Sequence, residues 1–161
     1  MIVVSDSGPI IALSKINQLN ILNHHFGNIY ISEATYNELV KKGKGMFGSE
    51  EVEKSDWIKV AKVKDEVAVK VLELELDRGE AETIILGNEF KADFVLLDES
   101  IARRVANLLN LKVKGTIGIL VLAKKDGIIK KLKPILNELR TKDVWISDEV
   151  YDTALKLTGE K

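Results

Sequence analysis

Cysteine is absent from the 161 residues. That excludes disulfides, zinc sites built on thiolates and thiol nucleophiles, and it matches the composition of a reducing compartment, so the cytoplasm is the expected location. Long apolar runs are absent too. The best of them, Thr116 to Ala123, is far short of a bilayer span, and the opening Met1-Ile2-Val3-Val4 lacks the basic residues of a secretory leader. Neither export nor membrane insertion is expected. No charge of one sign dominates: 24 Lys and Arg stand against 25 Asp and Glu. Nothing global therefore attracts a polyanion, and a nucleic-acid partner has to be argued from local groups. Aromatic residues make up only 6% of the chain, few for stacking on bases. Repeats and low-complexity linkers are missing.

What is present is an ordinary globular balance, 45% hydrophobic and 30% charged, in a chain long enough to bury about 70% of the surface it exposes unfolded. One domain over residues 1–161 is expected. Ile2 to Ser5 is a β-branched run ended by Asp6-Ser7-Gly8-Pro9, which reads as strand, tight turn and helix start. Apolar positions from Ile10 to Leu22 predict two short helices, and Ile29 to Ile31 a second strand. Ser32 can cap a helix running to about Lys42, where Gly43, Gly45 and Gly48 make a mobile loop. Trp57 to Val60 alternates as a strand, and Val67 to Leu76 and Gly79 to Phe90 read as helices. Phe94 to Leu97 is an unbroken apolar strand, as in a parallel sheet covered on both faces, with Ile101 to Leu109 as its crossover helix. Val113 begins a further strand. Helices follow near Ile117 to Lys124 and Ile128 to Leu139, then the run Val144 to Ile146 and a closing helix capped by Ser147.

Open parallel sheets hold ligands beyond the carboxyl ends of their strands, and the residues found there are acidic. Asp6 follows the first strand, Asp98 follows Leu97, and Glu38 sits about two turns into the helix after the second strand. Glu82 can supply a fourth carboxylate, because its neighbours Ile85 and Leu86 mark a buried helix face, with Glu80 roughly opposite. Crowded carboxylates either hold protons at raised pKa or recruit a cation. Oxygen donors without cysteine or usefully spaced histidine favour Mg²⁺ or Mn²⁺, ions that reach for phosphate oxygens. The chemistry indicated is hydrolysis of a phosphodiester.

Four segments carry a family resemblance in order and spacing: Val-Val-Ser-Asp6-Ser7-Gly8-Pro9-Ile-Ile-Ala-Leu, Glu38-Leu39, Gly79-Glu80-Ala81-Glu82, and Leu-Leu-Asp98-Glu99 with Ala102-Arg103. Together they resemble the PIN-domain nucleases, in particular VapC-like toxins and a related branch of predicted nucleic-acid-binding proteins. The resemblance implies a three-layer α/β/α fold around a mostly parallel sheet of about five strands. It also implies a Mg²⁺- or Mn²⁺-dependent endoribonuclease acting on RNA, a homodimer, and an antitoxin protein as partner. The implied acidic residues are Asp6, Glu38, Glu82 and Asp98, of which Asp6, Asp98 and Glu82 would hold the metal, with Ser7 shaping the site. Glu80 competes with Glu82 for the third position and Glu99 with Asp98 for the fourth.

Each residue also has a plainer reading. Asp6 fits a turn or cap, Glu38 and Glu82 fit solvated helix positions, and Glu80, Glu99 and Asp77 fit contacts with a helix N-terminus. His24 and His25 diverge by about 100° on a helix and do not share an ion. Lys41, Lys42 and Lys44, or Arg103 and Arg104, can meet a phosphate backbone or simply face solvent. A catalytically silent module that binds RNA or protein is the competing function. Other phosphate chemistries fit less well: Asp6-Ser7-Gly8 is not the Asp-x-Asp of haloacid-type phosphatases, and no Walker glycine loop occurs.

Overall fold

The β-branched residues that open the chain form its central strand. In the computed structural model, which describes residues 1–161, Val3–Ser5 (β1) pairs in parallel with Ile29–Ser32 (β2) on one side and Phe94–Leu96 (β4) on the other. Ile58–Ala61 (β3) extends the sheet beyond β2, and Val113–Lys114 (β5) extends it beyond β4. The result is an all-parallel, five-stranded sheet of order β3-β2-β1-β4-β5.

Alternation along the strands sends side chains to two cores, one on each face. Val3, Ile29, Ile31 and Leu96 enter the larger one with helices Ser7–Lys15 (α1), Asn20–Phe26 (α2), Thr116–Lys125 (α8), Lys133–Thr141 (α9) and Asp148–Leu157 (α10). Val4, Val95 and Leu97 enter the smaller one with Glu66–Leu72 (α5), Arg78–Glu89 (α6) and Ser100–Leu108 (α7). Helices thus cover both faces, which is the expected three-layer α/β/α arrangement, and the central strands β1, β2 and β4 are largely apolar because their faces are covered, whereas the edge strand β3 exposes Lys59 and Val60.

Several elements depart from the sequence reading. The helix expected from Ser32 to Lys42 is one turn of α-helix, Glu33–Tyr36 (α3), followed by a π-helical stretch, Asn37–Lys42. A short helix, Ser49–Lys54 (α4), occupies a stretch with no expected element, where Val52 is the sole buried apolar residue and no periodicity can show. The helix expected over Ile128 to Leu139 begins only at Lys133, because Gly127 turns the chain at φ +76° and Pro134 suits a first turn. The helix expected over Val67 to Leu76 ends at Leu72.

The strand order places a reversal of winding between β1 and β4. In doubly wound sheets the crevice opens there, beyond the carboxyl ends of those two strands. Asp6 and Asp98 lie at those ends, and the Asp6 amide donates to the Leu96 carbonyl at 3.0 Å.

Candidate functional site

Asp6 is 8% exposed, and burial is the main reason that its carboxyl is pushed up to about 7. The amide of Ser7 pulls the other way, while the charges of Asp77, Glu38 and Glu80 raise it further. Thr35 donates its hydroxyl to Asp6 Oδ1 at 3.3 Å, and Ser7, opening α1, donates to Glu38 Oε1 at 3.0 Å. Glu38 is brought alongside by the π-helical stretch after α3, a rare geometry that often marks a functional site.

Helix α6 approaches this group through a glycine. A Cβ on Gly79 would lie 3.1 Å from Glu38 Oε2, 3.3 Å from Asp6 Oδ1 and 3.5 Å from Asp77 Oδ1. Only hydrogen leaves that space open, so three carboxylate oxygens border one small cradle. Asp77 and Glu80 also cap α6 reciprocally: Asp77 Oδ1 accepts from the Glu80 amide at 2.8 Å, and Glu80 Oε1 accepts from the Asp77 amide at 3.0 Å. Burial and the neighbouring charges of Asp77 and Glu99 raise Glu80 above the usual carboxylate range.

Asp98 is fixed from the far side. Thr116 donates its amide to Oδ1 at 2.7 Å and its hydroxyl to Oδ2 at 2.6 Å, and Oδ2 lies 3.4 Å from where a Cβ on Gly8 would stand. Glu99 points elsewhere, accepting from the amides of Ile101 and Ala102 as the cap of α7. Arg103, one turn into α7, lies over Gly115 beside Asp98 without forming an ion pair with it.

The sequence matches a family model described as a PIN domain over residues 2–160. The chain belongs to the PIN-domain family. PIN domains are generally nucleases, so the architecture here is a nuclease-like fold. No curated protein matches the chain.

Within this PIN domain, Asp6, Ser7 and Glu38 are joined at one rim with Asp77 and Glu80, and Asp98 closes the crevice beside Gly8. Glu82 is 4% exposed and fully engaged, accepting from the Ala34 amide at 3.0 Å and from Arg78 Nε at 2.8 Å. From α6 it is Glu80, the residue expected on the opposite side, whose charge acts on Asp6; Glu82 shares instead a recess with Glu38, Lys42 and Arg78. The helix begins one residue earlier than the sequence reading placed it, and its first turn is oriented by the Asp77 cap. Sequence reasoning missed Thr116 and assigned Asp77 only a contact with the helix end. Thr116 lies just past β5, where the same strand-end logic would have found it had β5 been longer than two residues.

The donor chemistry fits a hard divalent cation. All acidic groups offer oxygen, Asp6 holds its proton abnormally well because it is buried and faces other carboxylates, and the Gly79 cradle leaves space beside its carboxylate. The side chains do not form a closed ligand set, since no three His, Asp or Glu groups stand at metal-ligating geometry. An ion of the Mg²⁺ type, which keeps several waters and takes one or two carboxylates, is compatible with that arrangement.

Proposed function

We propose that this PIN domain is a Mg²⁺- or Mn²⁺-dependent endoribonuclease whose centre is the crevice between β1 and β4. The carrying observation is Asp6: buried, raised to about 7 and pressed by Asp77, Glu38 and Glu80, it is a carboxylate arranged to ionise against a cation. Asp6 and Asp98 would hold the metal, with Glu38 and Glu80 next to them. When bound, the ion supplies Lewis acidity towards a phosphate oxygen and an acidified water.

The chain's own residues then supply placement. Ser7 holds Glu38 by its Oε1, leaving Oε2 towards the cradle, and Thr116 holds both oxygens of Asp98. Arg103 brings an unpaired guanidinium to the same crevice, suited to a phosphate oxygen. The proposed biological setting is the cytoplasm, as the toxin of a toxin–antitoxin pair. Exposed Val67, Val71 and Leu74 on and after α5 and Leu108 on α7 offer an apolar surface for a homodimer or an antitoxin. No helix is long and apolar enough to cross a membrane.

A second reading has an observation of its own. Both oxygens of Glu82 are used within the protein, and no three acidic groups stand at metal-ligating geometry, as expected of a silent module that binds RNA or protein. The deciding experiment incubates a mixed pool of single-stranded and structured RNA with the protein in Mg²⁺, Mn²⁺ or EDTA, alongside folded Asp6→Asn and Asp98→Asn variants. Metal-dependent cleavage lost in both variants establishes the nuclease. Intact RNA, together with no calorimetric binding of either metal to the wild type, establishes the silent module.

A further inference from the structure

Trp145 is 85% exposed, the most exposed aromatic in a chain with few of them. Its backbone is nonetheless held on both sides. The Val144 amide donates to the Leu139 carbonyl at 3.1 Å, Arg140 donates to the Ile146 carbonyl at 2.8 Å, and Ser147 caps α10 by accepting from the Val150 amide at 3.1 Å. Val144 packs against the larger core and Ile146 enters it, so the alternation of this extended segment leaves the indole directed outwards. Loose surface would not present an indole on so fixed a frame, and tryptophan is normally a highly buried residue.

The indole lines a groove of about 390 Å³ that also contains Asp98, Arg103, Lys114 and Gly118. The groove is therefore continuous with the proposed metal centre. Its cations have no carboxylate partner: Arg103 forms no salt bridge, unlike Arg104, which pairs with Glu75 at 3.8 Å, and Lys114 lies 4.8 Å over the Phe94 ring. Its floor is low at Gly118, where nothing lies within 4 Å of a Cβ position. An exposed aromatic face, unpaired cations and a flat glycine floor together make the combination that holds a single strand, the base stacked and the backbone neutralised.

We infer that this groove is a nucleotide subsite in which a base of single-stranded RNA stacks on Trp145 while Arg103 and Lys114 take the phosphates leading to Asp98. The subsite rests on the nuclease reading for its direction towards Asp98, but base stacking itself needs no metal. Trp145 is a binding residue, and it explains how a chain with little aromatic content and no excess of positive charge engages RNA.

The test uses the full chain with Trp57→Phe, so that Trp145 is the sole tryptophan, in EDTA. A short end-labelled 2′-O-methyl single strand of mixed sequence, resistant to cleavage, is titrated, with indole quenching read in this chain and the affinity of every variant read from the anisotropy of the label. The expected results are quenching of the indole, affinity about 5- to 150-fold weaker in Trp145→Ala, most of the affinity retained in Trp145→Phe, and a similar loss when a fully abasic strand of equal length replaces the probe. Unchanged melting temperature shows that Trp145→Ala stays folded. Absent quenching, equal affinity in Trp145→Ala, or equal affinity for the abasic strand overturns the subsite. So does quenching that follows protein concentration alone, with Trp145→Ala changing a dimer to a monomer in sedimentation, since a second copy would then cover the indole. Metal-dependent cleavage unaffected by Trp145→Ala removes the subsite and leaves the nuclease. Quenching without cleavage in any metal removes the nuclease and keeps the subsite as a site of RNA binding.

Discussion

Asp6 converts burial into a measurable dependence on pH. Its carboxyl titrates near 3.8 in the unfolded chain and about 7 in the folded one. Below pH 3.8 both forms are protonated and stability is undiminished. As pH rises from there to about 7 the unfolded chain releases a proton that the folded chain retains, so folding weakens, and above 7 the loss is complete. Asp6→Asn, which cannot ionise, is expected to match the wild type near pH 3.5 and to be more stable above pH 7 by about 2–4 kcal/mol, read from urea melts in EDTA. Divalent metal should reverse the contrast, stabilising the wild type at pH 8 more than at pH 5.5 and the variant at neither. Gly79→Ala places a methyl 3.1 Å from Glu38 Oε2; the protein should fold, but with cleavage at least about 10-fold slower, since displacement of about 1 Å at a reacting centre is costly. The places of Asp6 and Asp98 beyond β1 and β4 were legible because each ends a largely apolar run abruptly with a carboxylate. The choice between Glu80 and Glu82 was not, because it depends on where the Asp77 cap starts the helix, and one residue of phase turns a side chain by about 100°. Trp145 was hidden for the opposite reason: within Val144 to Ile146 it reads as core.

Among the elements, α6 is the one that holds the crevice together. It contributes Gly79 and the Asp77–Glu80 cap at its start, and Glu82 ties it to the first turn of α3. Further along, Gly87 lets the helix settle onto β4, where a Cβ would lie 2.6 Å from Val95 Cγ2. Gly87→Ala gains about 1 kcal/mol of helix propensity but overpacks the core at a cost of about 1–3 kcal/mol. The net effect on urea midpoint should be destabilising, and Val95→Ala in the same chain should relieve part of it. Strong periodicity made β1, β2, β4, α6 and α7 readable from sequence. The π-helical stretch was not readable, since Leu39 and Val40 are adjacent buried residues and no period of 3.6 separates the widened turn from an ordinary one. Nor was α4, which is polar apart from Val52.

At the scale of the whole molecule, near-neutral charge limits how strongly salt can control the proposed RNA binding. The crevice offers Arg103 and Lys114, with Lys42 on the far side near Glu38. Each phosphate they neutralise adds about 0.7 to the slope of log affinity against log salt for a single strand. Arg103→Ala should therefore lower that slope by about 0.7, measured by anisotropy between 50 and 300 mM KCl, whereas Lys131→Ala, in a separate recess lined by Lys124, Lys133 and Glu160, should leave it unchanged. The three-layer architecture was legible before any coordinate, because apolar strands alternating with amphipathic helices admit few other packings. The order of assembly has a further consequence. β1 leaves the ribosome well before its neighbour β4, with which it pairs at Val4 and Val95, and Asp98 has no anchor until Thr116 has been made. The crevice is thus completed late in translation, and a chain interrupted before Thr116 carries Asp6 without the groups that close the crevice around it.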